Sequence, residues 1–188
     1  MEENKEKQVK VNTPLTCKKQ GEGAGLRVID ILEDTTVDGP GFRTSIYCAG
    51  CIHHCPGCHN PQSWAEDSGT EMSVEALMEV IEADPFAPGV TFTGGDPMQQ
   101  AEAFTELARL IHERTTKNIW CYTGYTFEKL LNMPAQRQLL DYVDVLVDGP
   151  FVEAQRDTSL LFRGSANQRL IDVPNSLAKG KVIMWQRT

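Results

Sequence analysis

Basic charge is scarce in this chain: 18 Lys and Arg stand against 26 Asp and Glu, a net charge of −8. Nucleic-acid phosphates and anionic membranes are bound by clustered cations, so neither is expected as a partner. No apolar run approaches the length of about 20 residues that spans a bilayer, and the N-terminus lacks the apolar core of a secretion signal, which places the protein in the cytoplasm. No repeat recurs at solenoid periods. At 188 residues the expectation is one domain with a sizeable core. Cysteine itself is plentiful, with six residues, and four of them crowd between Cys48 and Cys58. That crowding suits metal ligation in a reducing compartment better than a disulfide framework.

Also missing is a fourth thiol in the stretch Cys51-Ile-His-His-Cys55-Pro-Gly-Cys58. A closed structural site for zinc or an iron-sulfur cluster normally takes four protein ligands, whereas a site built for chemistry keeps one position open. Three thiolates at C-x3-C-x2-C spacing can each hold one iron of a four-iron, four-sulfur cube and leave the fourth iron free to chelate a small molecule. Two plainer readings compete. One is a zinc site completed by Cys48, His53, His54 or His59, which would make the chain a non-catalytic interaction module. The other is a disulfide knot. Against them, zinc motifs usually come as two separated pairs, and a cytoplasmic chain keeps its thiols reduced.

Residues 1–24 are polar, without apolar periodicity, and predict a flexible extension in which Cys17 is incidental; the domain proper is expected over 25–188. Strands are predicted at Leu26 to Leu32 and Phe42 to Cys48, separated by a turn at Asp38-Gly-Pro-Gly41. Ser73 predicts a helix N-cap, with Val74, Leu77, Met78 and Ile81 on one face. Val90 to Thr93 predicts a buried strand, and Gly94-Gly-Asp-Pro97 opens a second helix through Phe104, Leu107, Ala108 and Ile111. Further strands are expected at Asn118 to Tyr122, Val143 to Val147, Arg169 to Val173 and Lys181 to Trp185. Helices are expected after Thr126, as a cap, and at Pro174. Alternating strands and helices give an α/β class with parallel β-α units, either a doubly wound sheet or a partial barrel. Cys48 and Cys121 look like small buried hydrophobes. Arg43 is either an exposed strand residue or a charge near the cysteine loop that holds a carboxylate.

In either architecture, ligands bind at the carboxyl ends of parallel strands. The loops after Cys48, Thr93, Tyr122 and Val147 would meet there. Two glycines let backbone approach a ligand closely, although a strand-to-helix turn with Asp96 as cap explains Gly94-Gly-Asp-Pro equally well in isolation.

The C-x3-C-x2-C stretch resembles the cluster motif of the radical S-adenosylmethionine (SAM) enzymes. Asp38-Gly-Pro-Gly-Phe-Arg43, the cysteines with His59-Asn60, and Trp64 together are similar to the glycyl radical activases within that family. The words Thr123-Gly-Tyr-Thr-Phe127, Asp144-Val-Leu-Val-Asp-Gly-Pro-Phe151 and Arg163-Gly-Ser-Ala-Asn-Gln-Arg169 look like those of the activases that serve the anaerobic ribonucleoside-triphosphate reductase. The resemblance runs from about Arg27 to the C-terminus. A pyruvate formate-lyase-type activase is the nearest alternative, and Asn167-Gln-Arg169 speaks against it.

This resemblance implies a partial (β/α) barrel with helices outside. It also implies a [4Fe-4S] cluster held by Cys51, Cys55 and Cys58, and SAM against Gly57, Cys58, His59, Gly94, Gly95 and Asp96. The chemistry implied is reductive cleavage of SAM to a 5'-deoxyadenosyl radical that takes one Cα hydrogen from the glycyl radical domain of the reductase large subunit. The cofactors carry that chemistry, so no side chain is expected to be catalytic. A one-electron donor such as reduced flavodoxin is implied as a second partner. A cavity that admits a polypeptide loop needs an open rim, expected to be formed partly by the segment from Asp148 to Arg169.

Overall fold

The computed structural model describes residues 25–187. The expected N-terminal extension and Cys17 lie outside the described residues. One seven-stranded sheet organises the rest, in the order β3-β1-β2-β4-β5-β6-β7. The strands are β1 (Gly25–Thr35), β2 (Arg43–Cys48), β3 (Thr70–Ser73), β4 (Gly89–Gly94), β5 (Asn118–Tyr122), β6 (Val145–Asp148) and β7 (Arg169–Asp172). Five helices accompany them: α1 (Val74–Ala83), α2 (Ala101–Arg114), α3 (Phe127–Leu130), α4 (Pro134–Leu140) and α5 (Val173–Lys179).

Only the central strands follow the expected parallel scheme. β2, β4, β5 and β6 are parallel neighbours, while β1 is antiparallel to both β2 and β3, and β7 is antiparallel to β6. The reason for the first departure is length. A parallel crossover takes about a dozen residues or more, and 36–42 is too short a connection to be anything but a hairpin. The sheet is therefore a mixed α/β one with two edges, β3 and β7.

Its two faces differ. Leu26, Val28, Ile46, Val90, Phe92, Ile119, Leu146 and Ile171 point to one side, where the helices bury their apolar residues against them. The opposite face carries a smaller cluster of Trp120, Val145, Val147 and Leu170, covered by Phe162 and Trp185 from loop and tail rather than by a helix. Strand alternation at period two produces this division directly.

Local chemistry explains the element ends. The Ser73 hydroxyl accepts from the amide of Ala76 at 3.2 Å, Glu75 lies in the first turn of α1, and Val74, Leu77, Met78 and Ile81 are buried, as their spacing predicts. Asp96 caps a short 3-10 turn, Pro97–Gln100, that runs into α2, whose Phe104, Leu107, Ala108 and Ile111 are fully buried. Thr126 does precede α3, but its side chain makes no cap; the amide of Phe127 donates instead to Asp148 Oδ2 at 2.8 Å. The strand expected from Lys181 to Trp185 is not formed. That stretch makes one isolated bridge, Ile171 to Met184, and two hydrogen bonds to β7, because Trp185 turns into the smaller cluster. β3 and α4 were not expected from the sequence. The four-residue strand Thr-Glu-Met-Ser is polar and short, and α4 follows α3 after only a brief turn.

Candidate functional site

The four expected loops do gather at the carboxyl ends of the parallel strands, and backbone hydrogen bonds fasten them. Gly95 donates to Cys48 O at 2.7 Å, Asp96 to Gly50 O at 2.8 Å, Thr123 to Val147 O at 3.0 Å and Gly149 to Tyr125 O at 2.9 Å. The glycines after β4 make this closeness possible. A Cβ on Gly94, where φ is +97°, would stand 2.5 Å from the Cys48 nitrogen, and one on Gly95 would stand 2.4 Å from the Gly50 oxygen. No side chain fits at either position.

Cys51, Cys55 and Cys58 are free and half-buried on the loop that follows β2. The Cys51 amide donates to Trp64 O, the Cys58 amide to Cys55 O, and the Asn60 amide reaches Cys58 Sγ at 3.4 Å. Two residues with positive φ, His54 at 44° and Gly57 at 74°, curl the loop. Burial pushes the Cys51 thiol up, opposed by the amides of His53 and His54. Among the described residues no three His, Cys, Asp or Glu side chains converge on one point as a single ion requires. Three free thiols on one loop are a donor set that a cube can use, since it offers a separate iron to each thiolate. Cys48 and Cys121 are fully buried, and burial raises both thiols well above their usual range, as small hydrophobes should show.

Asp96 is fully buried and its carboxylate is committed to the protein. Oδ1 accepts from the Met98 amide, while Oδ2 accepts from His53 Nε2 at 2.7 Å, Thr123 Oγ1 at 2.9 Å and the Gly124 amide at 3.0 Å. One residue thereby ties the cysteine loop to the loops after β4 and β5. His54 stacks on Trp64 at 4.7 Å, and His59 lies 5.4 Å from the ring of Phe151.

Beside the loop, on the face without helices, lies a cavity of about 500 Å³ whose lining includes Asp38, Tyr47, His59, Tyr122, Phe162 and Arg163. Tyr47 donates to Asp38 Oδ2 at 2.6 Å, and burial with this carboxylate raises its phenol. Tyr122 donates to Phe162 O at 2.9 Å. The segment 149–168 supplies much of the wall and is laced to the sheet by the Asn167-Gln168-Arg169 run. Asn167 donates to Pro150 O, Gln168 donates to Gly149 O while accepting from the amides of Gly164 and Ser165, and Arg169 binds Asp148 and Glu128. Glu153 of this segment packs so closely on Gly57 that a Cβ there would meet its carboxyl carbon at 2.9 Å.

Arg43 corrects the sequence reading. It is neither exposed nor partnered by a carboxylate: it is fully buried at the amino end of β2, with its guanidinium donating to Thr91 Oγ1, Asn118 Oδ1 and O, and the carbonyls of Pro40 and Val90. Burial lowers its pKa to about 10. The roles of His53 and Gly124 were also missed, since nothing local in the sequence joins His53 to a carboxylate 43 residues away.

Comparison with known proteins agrees with this geometry. The family model described as a 4Fe-4S single cluster domain matches residues 37–171. Among curated relatives, the anaerobic ribonucleoside-triphosphate reductase-activating protein of Pasteurella multocida is 39% identical over 139 residues, covering 70% of this chain and 88% of its own. The protein of the same name from Vibrio cholerae is 40% identical with the same coverage, and that of bacteriophage T4 is 37% identical, covering 71% and 86%. A solved structure of QueE from Escherichia coli overlaps at a TM-score of 0.46 and 19% identity, over 54% of this chain and 53% of that one, too partial an overlap to carry an argument. On the family match and the extent of identity, the chain belongs to the anaerobic ribonucleoside-triphosphate reductase-activating proteins and carries their 4Fe-4S single cluster domain.

Proposed function

We propose that this chain is a radical SAM activase that makes a glycyl radical on the anaerobic ribonucleoside-triphosphate reductase. One observation carries the reading: three free, half-buried thiols on a single loop stand at the carboxyl ends of four parallel strands, next to a cavity of about 500 Å³ that helices leave uncovered. The donor set fits a [4Fe-4S] cluster with one iron free of protein, ligated by Cys51, Cys55 and Cys58. Bound there, the cluster and SAM supply one-electron cleavage of a sulfonium and, through it, removal of a hydrogen from carbon.

The protein's own part is placement. Gly94 and Gly95, packed against the backbone at the base of the cysteine loop, and Gly57, Cys58 and His59 on that loop are the residues that would hold SAM. Asp96 is the sixth of this set, and its carboxylate holds the cysteine loop to the loop after β5. Phe151 and Phe162 limit water on the flank, and the uncovered face admits the glycine-bearing loop of the reductase. The open sheet serves as part of a (β/α) barrel whose missing wall is this opening. A flavodoxin-like donor supplies the electron. Among the described residues no helix is long and apolar enough to cross a membrane.

The test is anaerobic reconstitution with iron and sulfide. The expected protein is brown, binds about four irons per chain, cleaves SAM when reduced, and produces a glycyl radical doublet in electron paramagnetic resonance (EPR) when mixed with the reductase. A colourless protein that retains zinc would sink the reading.

A further inference from the structure

The cysteine loop holds four non-glycine side chains between its thiols. Ile52 and Pro56 are exposed, His54 stacks on Trp64, and His53 alone turns towards the sheet. Among the described residues, the bond from His53 Nε2 to Asp96 Oδ2 is the one side-chain hydrogen bond that joins residues 51–58 to the loops of other strands. The same oxygen already accepts from Thr123 Oγ1 and the Gly124 amide, so Nε2 is assigned as a third donor to it.

A second observation, independent of that bond, concerns Gly124. Its φ is not positive, so the backbone does not demand glycine there. The ring does: a Cβ on Gly124 would stand 2.4 Å from His53 Cδ2 and 2.7 Å from Nε2. Tyr125 closes the box, its ring edge-on to the imidazole at 4.6 Å and held in turn by Gln99, which donates to its hydroxyl at 2.9 Å. The imidazole thus has a polar anchor, a flat wall and an aromatic edge. The next residue, His54, adopts a left-handed backbone that side chains resist, so the turn between Cys51 and Cys55 needs something to hold it.

We propose that His53 is a positioning residue, clamped by Asp96, Gly124 and Tyr125 so that Cys51 and Cys55 are fixed at the separation the cluster needs. The inference rests on the cluster reading above and adds to it the residues that set the ligand geometry. His53 touches neither iron nor substrate in this proposal; it acts through the backbone it anchors. Partners that orient metal ligands commonly change metal affinity by about 10–100-fold when removed.

Three variants test this, each reconstituted as the full chain without oxygen. His53→Leu removes the donor, His53→Gln keeps an N–H that can reach Asp96, and Gly124→Ala keeps every polar group but displaces the ring. The readouts are the rate at which a ferrous chelator strips the cluster, the EPR spectrum of the reduced cluster with and without SAM, and the melting temperature of the apoprotein. His53→Leu and Gly124→Ala are expected to lose iron about tenfold faster or more and to weaken the SAM-dependent change in the spectrum. His53→Gln is expected to stay within about threefold of the parent. Should either of the first two fail to fold, the other carries the test. If both fold and keep parental stripping rates and SAM response, the clamp is refuted while the cluster reading stands. If the parent protein itself takes up no cluster, the underlying reading has failed instead.

Discussion

Replacing Arg169 by Met tests how the cavity wall is attached. Arg169 Nε donates to Asp148 Oδ1 at 2.9 Å, and its terminal nitrogens form a fork with Glu128 at 3.0 and 2.8 Å. The two carboxylates differ in what they stand to lose. The Asp148 side chain is 1% exposed and keeps only the Phe127 amide once the guanidinium is gone, whereas Glu128 is 57% exposed and can return to water. Leaving a buried charge without its partner costs about 3–5 kcal/mol, and the 31% exposure of Arg169 argues for the lower end, about 3 kcal/mol. For a chain of this size that lowers Tm by roughly 6–12 °C, measurable by thermal melts of the cluster-free protein under reducing conditions. Adding Asp148→Asn removes the stranded charge and is expected to return part of the loss.

The same variant carries a pH signature. Arg169 holds the Glu128 carboxyl below its usual range. A depressed carboxylate pKa means its stabilisation is complete above the unfolded value of about 4.3 and is lost as pH falls through the lower folded value. Because Glu128 is mostly exposed, that part is worth at most about 1 kcal/mol. Arg169→Met should remove most of it, leaving the share from the Glu128 backbone and Thr126, and the deficit of the variant relative to the parent should shrink as acid protonates the stranded Asp148. A loss under about 1 kcal/mol at neutral pH would refute the claim that Asp148 depends on Arg169.

Other substitutions separate the thiols and the glycines. Cys55→Ala is expected to abolish iron retention and SAM cleavage, while Cys48→Ala keeps both and loses only about 1 kcal/mol of burial, as read from iron per chain and denaturant melts. Gly95→Ala forces a methyl into the Gly50 carbonyl at 2.4 Å, so it should destabilise by about 1–3 kcal/mol and reduce iron uptake, because the backbone that yields is the base of the cysteine loop.

The parts of this architecture that follow local periodicity were legible from sequence. The α1 and α2 faces, the central parallel strands and the carboxyl-end placement of the glycine and cysteine loops all depend on residues close together in the chain. What escaped depends on distant pairing. Nothing near Thr70 announces that Thr-Glu-Met-Ser will pair with β1, and the hairpin between β1 and β2 is decided by connection length rather than by strand composition. Asp96 was read as both a cap and a SAM neighbour. The cap is visible in the Asp-Pro dipeptide, but the three further donors on the same carboxylate come from His53, Thr123 and Gly124. Arg43 shows the same limit, since its acceptors sit on three separated stretches of chain.

Arg43 also shows how the two ends of the sheet divide their tasks. A cation buried without an anion is tolerated only if its hydrogen-bonding is complete, and here the guanidinium makes five hydrogen bonds to neutral oxygens while lying 5.4 Å from the Trp120 ring centroid. That arrangement pins the amino ends of β2, β4 and β5 together. The cysteine loop begins at the other end of β2, five residues on, about 16 Å away at strand rise. Arg43→Lys has three rotatable donors where a planar fork of five was matched, so at least two acceptors go unpaired, and the expected loss is about 2–3 kcal/mol by denaturant melts. Once folded and reconstituted, the variant should hold its full complement of iron and respond to SAM like the parent, because nothing at the carboxyl end has changed. A folded Arg43→Lys protein that could not retain its cluster would show that the amino-end network sets the loop geometry, and the separation of scaffold from site along β2 would have to be abandoned.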